Sequence, residues 1–312
     1  MLGKEKLKGH LFILLANMLF GINIPISKYL LPDLVQPEAL TLMRMLFACV
    51  MFWLTSLFMQ KEDVPLKDIG LLFLCGMCGI AFNQSLFLWG LSQTSPVDAS
   101  IIATSGPIFV MLLAALILKE PITQLKAFGV LVGAAGGILL ILSSTHVSNQ
   151  VSSLEGDLKI ITSGFIYSIY VVISKPLSQR YSPVTIMKWM FLFSTLVLAP
   201  FMYRSMLDTA VFHRIPADWH EVSAIMYVLA GGTFIPYLLI PMALKRIRPT
   251  TLSMYNYAQP IVASLIAVMA GQDTFSVSKI ISSILVFIGV YMVTQSKSRE
   301  DVERELSAIN DK

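Results

Sequence analysis

Few groups in this chain could do covalent chemistry inside its long apolar runs. His10, His146, His213 and His220 all sit at the edges of those runs or in the links between them, and no acid occupies the middle of one. Intramembrane catalysis needs a nucleophile with its base, a pair of acids or a metal set, and the sequence assembles none of these. Cys75 and Cys78 form a lone C-x-x-C inside the apolar stretch 71–82. A structural zinc site takes four N or S ligands, and no histidine lies nearby, so these cysteines read as small apolar helix residues. No metal and no cofactor is expected, and an enzyme is the rival class rather than the preferred one.

Amides, hydroxyls and aromatic rings do gather at mid-run positions. Asn17 and Asn23 fall in the first run, Asn83 and Gln84 with Trp89 in the third, and Thr104 in the fourth. Tyr167 and Tyr170 fall in the sixth, Tyr237 in the eighth, and Tyr255, Asn256 and Gln259 in the ninth. Amides in hydrocarbon are costly unless paired, so they must face inward. They can pair with one another as helix–helix contacts, or line a wet cavity. Taken singly each is explained as well by packing; the cluster is better explained by a cavity. Such a neutral lining suits zwitterionic or uncharged solutes, aromatic ones included. Replacing Asn83 or Tyr255 by Ala is expected to cut transport without reducing membrane expression.

Arg44 is the one charge well inside a run. Such a charge costs about 2.5–3.5 kcal/mol at mid-span, so it must snorkel outward or meet a polar interior. An anion contact is one reading; a structural Arg is the preferred one, because the residue is shallow and long. The absence of mid-run acids argues against proton coupling, which commonly uses an intramembrane Asp, Glu or His, and favours facilitated diffusion or exchange.

The elements that carry these residues follow from composition. Only 13% of residues are charged and 55% are hydrophobic, with a mean hydropathy of +0.72, against about 25% charged in a soluble domain. Reading for runs of about 20 apolar residues predicts ten spans: 9–31, 38–60, 66–91, 96–119, 123–143, 156–178, 183–204, 220–245, 249–270 and 276–296. An even number places both termini on one side. Seventeen of the 23 Lys and Arg residues then fall on that side and five on the other, which predicts cytoplasmic termini. These basic residues follow topology rather than forming one patch, so nucleic-acid binding has no support.

The two halves align. Gly9 and Gly156 open runs one and six, and Ile26-Ser27-Lys28 meets Ile173-Ser174-Lys175, all at an offset of 147. Pro96 meets Pro249, Pro107 meets Pro260 and Gly136 meets Gly289 at an offset of 153. Five runs per half is odd, so the second half enters the membrane upside down. Inverted repeats are a hallmark of secondary transporters, with substrate near the midplane between the halves. Gly129, Gly133 and Gly137 make a small-residue stripe for close helix packing. Runs five and ten, poorer in polar residues, are expected at the periphery.

The stretch from Leu91-Ser-Gln-Thr-Ser-Pro through Lys119-Glu-Pro-Ile-Thr to Gly136 resembles the EamA family of the drug/metabolite transporter superfamily, and Pro249–Thr294 resembles the same block again. Phe20-Gly21 with Asn23 is similar to the family's aromatic-Gly start of span one, and Arg44 sits where the family commonly has an Arg. Met190 stands at the matching place in the second half, and Gln272-Asp273 replaces the family's Gly-Glu pair. The resemblance implies an all-α membrane protein of ten transmembrane helices, two inverted five-helix repeats over 1–148 and 149–296, and a cytoplasmic tail over 297–312. It implies a carrier, often an exporter of amino acids or other small metabolites. The expected partners are a small-molecule substrate and the lipid bilayer of the cytoplasmic (inner) membrane; a monomer and a homodimer both remain open. A proton- or ion-coupled importer and a channel are the other transport readings.

Overall fold

The computed structural model of the chain describes residues 2–31, 33–94, 99, 102–103, 105–142, 153–209, 218–269 and 277–297. Among them every regular element is helical. In chain order the helices are α1 (Leu2–Leu30), α2 (Pro37–Ser56), α3 (Leu66–Gly76), α4 (Phe82–Gln93), α5 (Gly106–Ile117), α6 (Gln124–Leu142) and α7 (Leu154–Ile173). There follow α8 (Lys175–Arg180), α9 (Pro183–Leu207), α10 (Trp219–Leu229), α11 (Ile235–Leu244), α12 (Pro249–Met254), α13 (Ala258–Met269) and α14 (Val277–Gln295). Their starts obey capping chemistry. Pro37 and Pro183 stand in the first turns of α2 and α9, where a missing N–H costs nothing. Ser153 and Asp218 cap α7 and α10 through side-chain oxygens that accept the N–H of Gly156 and His220. The Thr123 hydroxyl accepts the Lys126 N–H at the start of α6.

Six stretches are long and apolar enough to cross a bilayer: 4–30, 37–56, 66–93, 154–173, 183–207 and 219–244. Shorter apolar helices over 106–117, 124–139 and 280–295 accompany them. Large apolar side chains stay exposed on the outward faces, including Phe128 and Leu131 on α6, Phe201 on α9 and Phe287 on α14. Water would not tolerate apolar surface on this scale, whereas lipid solvates it. The chain is a multi-pass membrane protein.

Two of these long helices are locally widened and underwound by a π-helical turn. A π-helical turn, Met77–Ala81, joins α3 to α4, and another, Ala230–Phe234, joins α10 to α11. A 3-10 turn, Tyr255–Tyr257, joins α12 to α13. Of the expected span 96–119, residues 99 and 102–103 are helical and a continuous helix runs from Gly106. Thr104 lies outside the described residues, as does the tail beyond 297.

Packing pairs the helices in a recurring way. α2 lies on α9, and α6 on α14. α4 lies on α7 as α11 lies on α1, and α5 lies on α7 as α13 lies on α1. The α6–α14 contact is close because its glycines face each other: a Cβ on Gly289 would sit 2.6 Å from the Gly129 carbonyl oxygen. At one end of the bundle, Arg246 meets Glu5 at 2.9 Å and Arg248 donates to the Lys297 carbonyl at 3.2 Å, so residues 5 and 297 share that end. At the other end, Lys28 Nζ donates to the carbonyls of Leu91 at 2.8 Å and Thr94 at 3.2 Å. Lys175 does the same at the first end, to Leu244 and Ile247. In each case an ammonium caps the carbonyl end of a helix, where the macrodipole favours a cation.

Candidate functional site

A cavity of about 150 Å3 lies between the helices. It is bounded where helices depart from regular α geometry. Gln84 and Asn83 follow the first π turn, and Tyr237 follows the second. Asn256 sits in the 3-10 turn and Gln259 just past it, while Ser105 and Gly106 open α5. Interrupted helices leave backbone groups without helical partners, and such groups are tolerated at membrane depth only where protein or a cavity receives them. Phe20, Asn23 and Ile24 of α1, Phe87 of α4 and Ser163 and Tyr167 of α7 complete much of the wall. Among the described residues no acid and no histidine lines it.

Seven of the twelve residues singled out in the sequence line this cavity: Asn23, Asn83, Gln84, Tyr167, Tyr237, Asn256 and Gln259. They differ in how far their polar atoms are already engaged. Asn83 is committed to structure: its Nδ2 donates to Ser163 Oγ at 2.9 Å and to the Ser163 carbonyl at 3.1 Å, and Ser163 Oγ donates back to the Asn83 carbonyl at 2.9 Å. The Tyr237 hydroxyl donates to the Gly79 carbonyl in the first π turn at 3.2 Å. Gln259 Nε2 donates to Asn17 Oδ1 at 2.7 Å, and Asn17 Nδ2 in turn donates to the Ile13 carbonyl at 2.9 Å. Gln84 is different. It is buried, with the Tyr237 hydroxyl beside it, and neither its amide nitrogen nor its amide oxygen makes a hydrogen bond of ordinary geometry. Asn23 Oδ1 is likewise buried and unpartnered. Buried orphans of this kind cost about 1–3 kcal/mol each, and a polar cavity is where water or a ligand offsets that cost.

The remaining five stand elsewhere. Asn17 acts from behind the wall, through Gln259. Tyr170 is packed away from the cavity, its ring against Gly79, where a Cβ would lie 2.5 Å from Tyr170 Cγ. Trp89 donates from Nε1 to Glu38 Oε1 at 2.8 Å, tying α4 to the start of α2. The Tyr255 hydroxyl lies 2.8 Å from His10 Nδ1, below the cavity toward the end that carries the termini. Thr104 is outside the described residues. Trp89, Tyr170 and Tyr255 stand beside this cavity and do not line it.

Arg44 is a wall residue that the sequence reads as an anion contact or, in preference, as a structural Arg that caps helix ends or reaches the interface. It does not snorkel. Its side chain is 4% exposed and turns inward, with Nε donating to Thr233 Oγ1 at 2.8 Å and Nη2 to the Gly232 carbonyl at 3.1 Å. Both acceptors belong to the second π turn, whose wider ring leaves carbonyls open to outside donors. Thr233 Oγ1 donates onward to the Val228 carbonyl at 2.8 Å, five residues back. The signal for this placement was present in the sequence, as a lone charge in an apolar run; its direction was not.

Near the end that carries residues 5 and 297, a polar network ties the inter-helix links together. Asp68 accepts from Arg180 Nη1 at 2.7 Å and from the Tyr181 hydroxyl at 2.6 Å. Glu62 accepts from the Ser182 N–H at 3.0 Å and from Ser182 Oγ at 2.9 Å. Partial burial pushes the Glu62 carboxyl up, but hydrogen bonds from Thr185 and from the Ser182 amide and hydroxyl outweigh it and hold the group below the ordinary carboxylate range.

Known proteins resemble the chain throughout. A WAT1-related protein of Arabidopsis thaliana is 24% identical over 95% of this chain and 88% of its own. An uncharacterized transporter of Archaeoglobus fulgidus is 23% identical over 93% of this chain and 100% of its own. The uncharacterized transporter YdfC of Bacillus subtilis is 27% identical over 74% of this chain and 73% of its own. A protein crystal structure superposes with a TM-score of 0.69 at 20% identity, covering 94% of this chain and 98% of that one, which shows a shared fold. The model of the EamA-like transporter family matches twice, over residues 7–142 and 154–295. The chain belongs to the EamA-like transporter family.

Proposed function

We propose that this membrane transporter is a secondary carrier that moves small neutral or zwitterionic metabolites, amino acids among them, by alternating access, and that it acts as an exporter in the cytoplasmic membrane. The observation that carries the reading is the cavity itself: a small, mainly apolar chamber with a few polar groups, walled by interrupted helices, with the Gln84 amide and Asn23 Oδ1 buried and without a hydrogen bond of ordinary geometry. Discontinuous helices at a midplane site are the hallmark of secondary transporters. A catalytic centre would need a nucleophile, acid pair or metal set, and among the described residues the wall carries none.

Ten spans arranged as two inverted repeats, over 1–148 and 149–296, supply the geometry for this cycle. Several independent features support the repeat. The π turns lie at an offset of 153, the same as the proline matches, and the capping lysines Lys28 and Lys175 lie at an offset of 147. Helix pairs exchange under the same alignment, α4 on α7 answering α11 on α1. The family model matching twice is in keeping with it. On this reading both termini are cytoplasmic. The cavity walls Ile24, Phe87 and Ile160 lie toward the opposite end, so the closed network of Asp68, Arg180 and Glu62 is the inner gate. Absence of acids and histidines from the described wall favours uniport or exchange over proton coupling.

The test is reconstitution. Purified protein in liposomes is expected to show saturable flux with counterflow, in which an unlabelled solute on one side accelerates entry of its labelled form. A channel gives non-saturating flux without counterflow, and a product formed in detergent without vesicles points to an enzyme. Uphill accumulation driven by a pH gradient alone would overturn the uncoupled mechanism.

A further inference from the structure

Arg44 poses a charge problem that the described residues do not solve. Its side chain is buried, yet the groups that receive it, Thr233 Oγ1 and the Gly232 carbonyl, are neutral. Among the described residues no carboxylate forms an ion pair with it, and none lines the cavity it borders. Two donors are used, Nε and Nη2, and no described residue accepts from Nη1. A guanidinium cannot shed its proton to escape the cost of burial, and a buried cation without a counter-ion is expensive. Gln84, on the same wall, is 3% exposed and has an unpartnered amide N–H group as well as an unpartnered carbonyl. A planar fork with a free arm, beside a free amide donor, is an arrangement that receives a planar two-oxygen anion.

We infer that Arg44 binds the carboxylate of the transported solute, with the Gln84 amide as a second donor, so that the site selects small carboxylate-bearing metabolites over their neutral amides. This deepens the transport reading and rests on it. The solute supplies the counter-ion, while Thr233 Oγ1 and the Gly232 carbonyl hold Arg44 in place. A zwitterion satisfies the rest of the wall as well: Asn23 Oδ1 and Gln84 Oε1 are unpartnered acceptors that suit an ammonium, and Tyr167 and Phe20 line the same cavity. A cation without a carboxylate would face Arg44 across a low-dielectric chamber and be repelled.

The experiment loads proteoliposomes with a mixture of standard amino acids, their C-terminal amides, and small aliphatic and aromatic monocarboxylates with the matching amides, and reads efflux by mass spectrometry. Acids are expected to leave at least about tenfold faster than their amides, as removal of one charge-assisted hydrogen bond implies. R44Q is expected to lose that preference, and R44K, which keeps the charge without the fork, to retain part of it. Monodispersity and thermal unfolding of both variants separate loss of recognition from loss of fold. Should R44Q be poorly folded, the acid-to-amide ratio of the wild-type protein and of Q84A decides alone. Amides leaving as fast as acids, or a folded R44Q keeping the wild-type ratio, would overturn the inference and leave the carrier reading standing. No solute leaving faster than from protein-free liposomes would overturn the carrier reading and this inference with it.

Discussion

Adjacent amides at residues 83 and 84 have opposite fates, and the reason is rotational. Neighbours on a helix point about 100° apart, so Asn83 meets Ser163 on α7 while Gln84 faces the chamber with both polar atoms unpaired. This difference separates stability from function in one substitution. Gln84→Leu removes two buried orphans, so thermal unfolding in detergent should show equal or greater stability, by about 1–2 kcal/mol. Flux in liposomes should fall at the same time. A variant that is stabilised and still transports at the wild-type rate would remove Gln84 from the solute path. Residue types in the sequence were enough to nominate both amides. They were not enough to tell them apart, because satisfaction depends on a partner 80 positions away.

Helix irregularities do most to shape the chamber. Gly79 and Gly232 occupy the two π turns, and each offers its carbonyl to a donor from the other half of the chain: Tyr237 to Gly79, Arg44 to Gly232. Each also leaves no room for a side chain, since a Cβ on Gly232 would lie 2.1 Å from Asn23 Oδ1. None of this was legible beforehand. A π turn inserts one residue without a distinctive composition, whereas the prolines that open helices announced themselves at fixed offsets. The connection after α5 carries a different irregularity. Lys119 adopts φ 56°, a left-handed conformation that costs a side-chain-bearing residue about 1–2 kcal/mol and that glycine enters freely. Lys119→Gly should therefore raise the unfolding temperature slightly, worth about 0.5–1 kcal/mol after the added flexibility of the unfolded chain is counted. A lower unfolding temperature would mean that the exposed lysine contributes a compensating contact.

At the end that carries residues 5 and 297, links remote in sequence are tied together, Glu62 with Ser182 and Asp68 with Arg180 and Tyr181. Glu62 has a folded pKa below its ordinary value, so its contribution is complete above the unfolded carboxylate range, near pH 4–5, and is lost as pH falls through the folded pKa. Acidification below about pH 4 should loosen this end, read as a rise in the labelling rate of a cysteine placed in the 57–65 link relative to the same cysteine in denatured protein at the same pH, and Glu62→Gln should flatten that pH dependence. A ratio that stays constant with pH in the parent protein would remove Glu62 from these contacts.

Sequence alone determined that the chain lives in lipid, that its halves repeat, and which residue types collect at mid-depth. These are properties of composition and period, and the bilayer imposes them on each segment separately. Which of those residues share one chamber, and that Arg44 turns inward instead of toward the interface, only the tertiary structure decided. Orientation within a bundle is set by the facing helix, through π turns, glycine contacts and long-range hydrogen bonds that no single segment encodes.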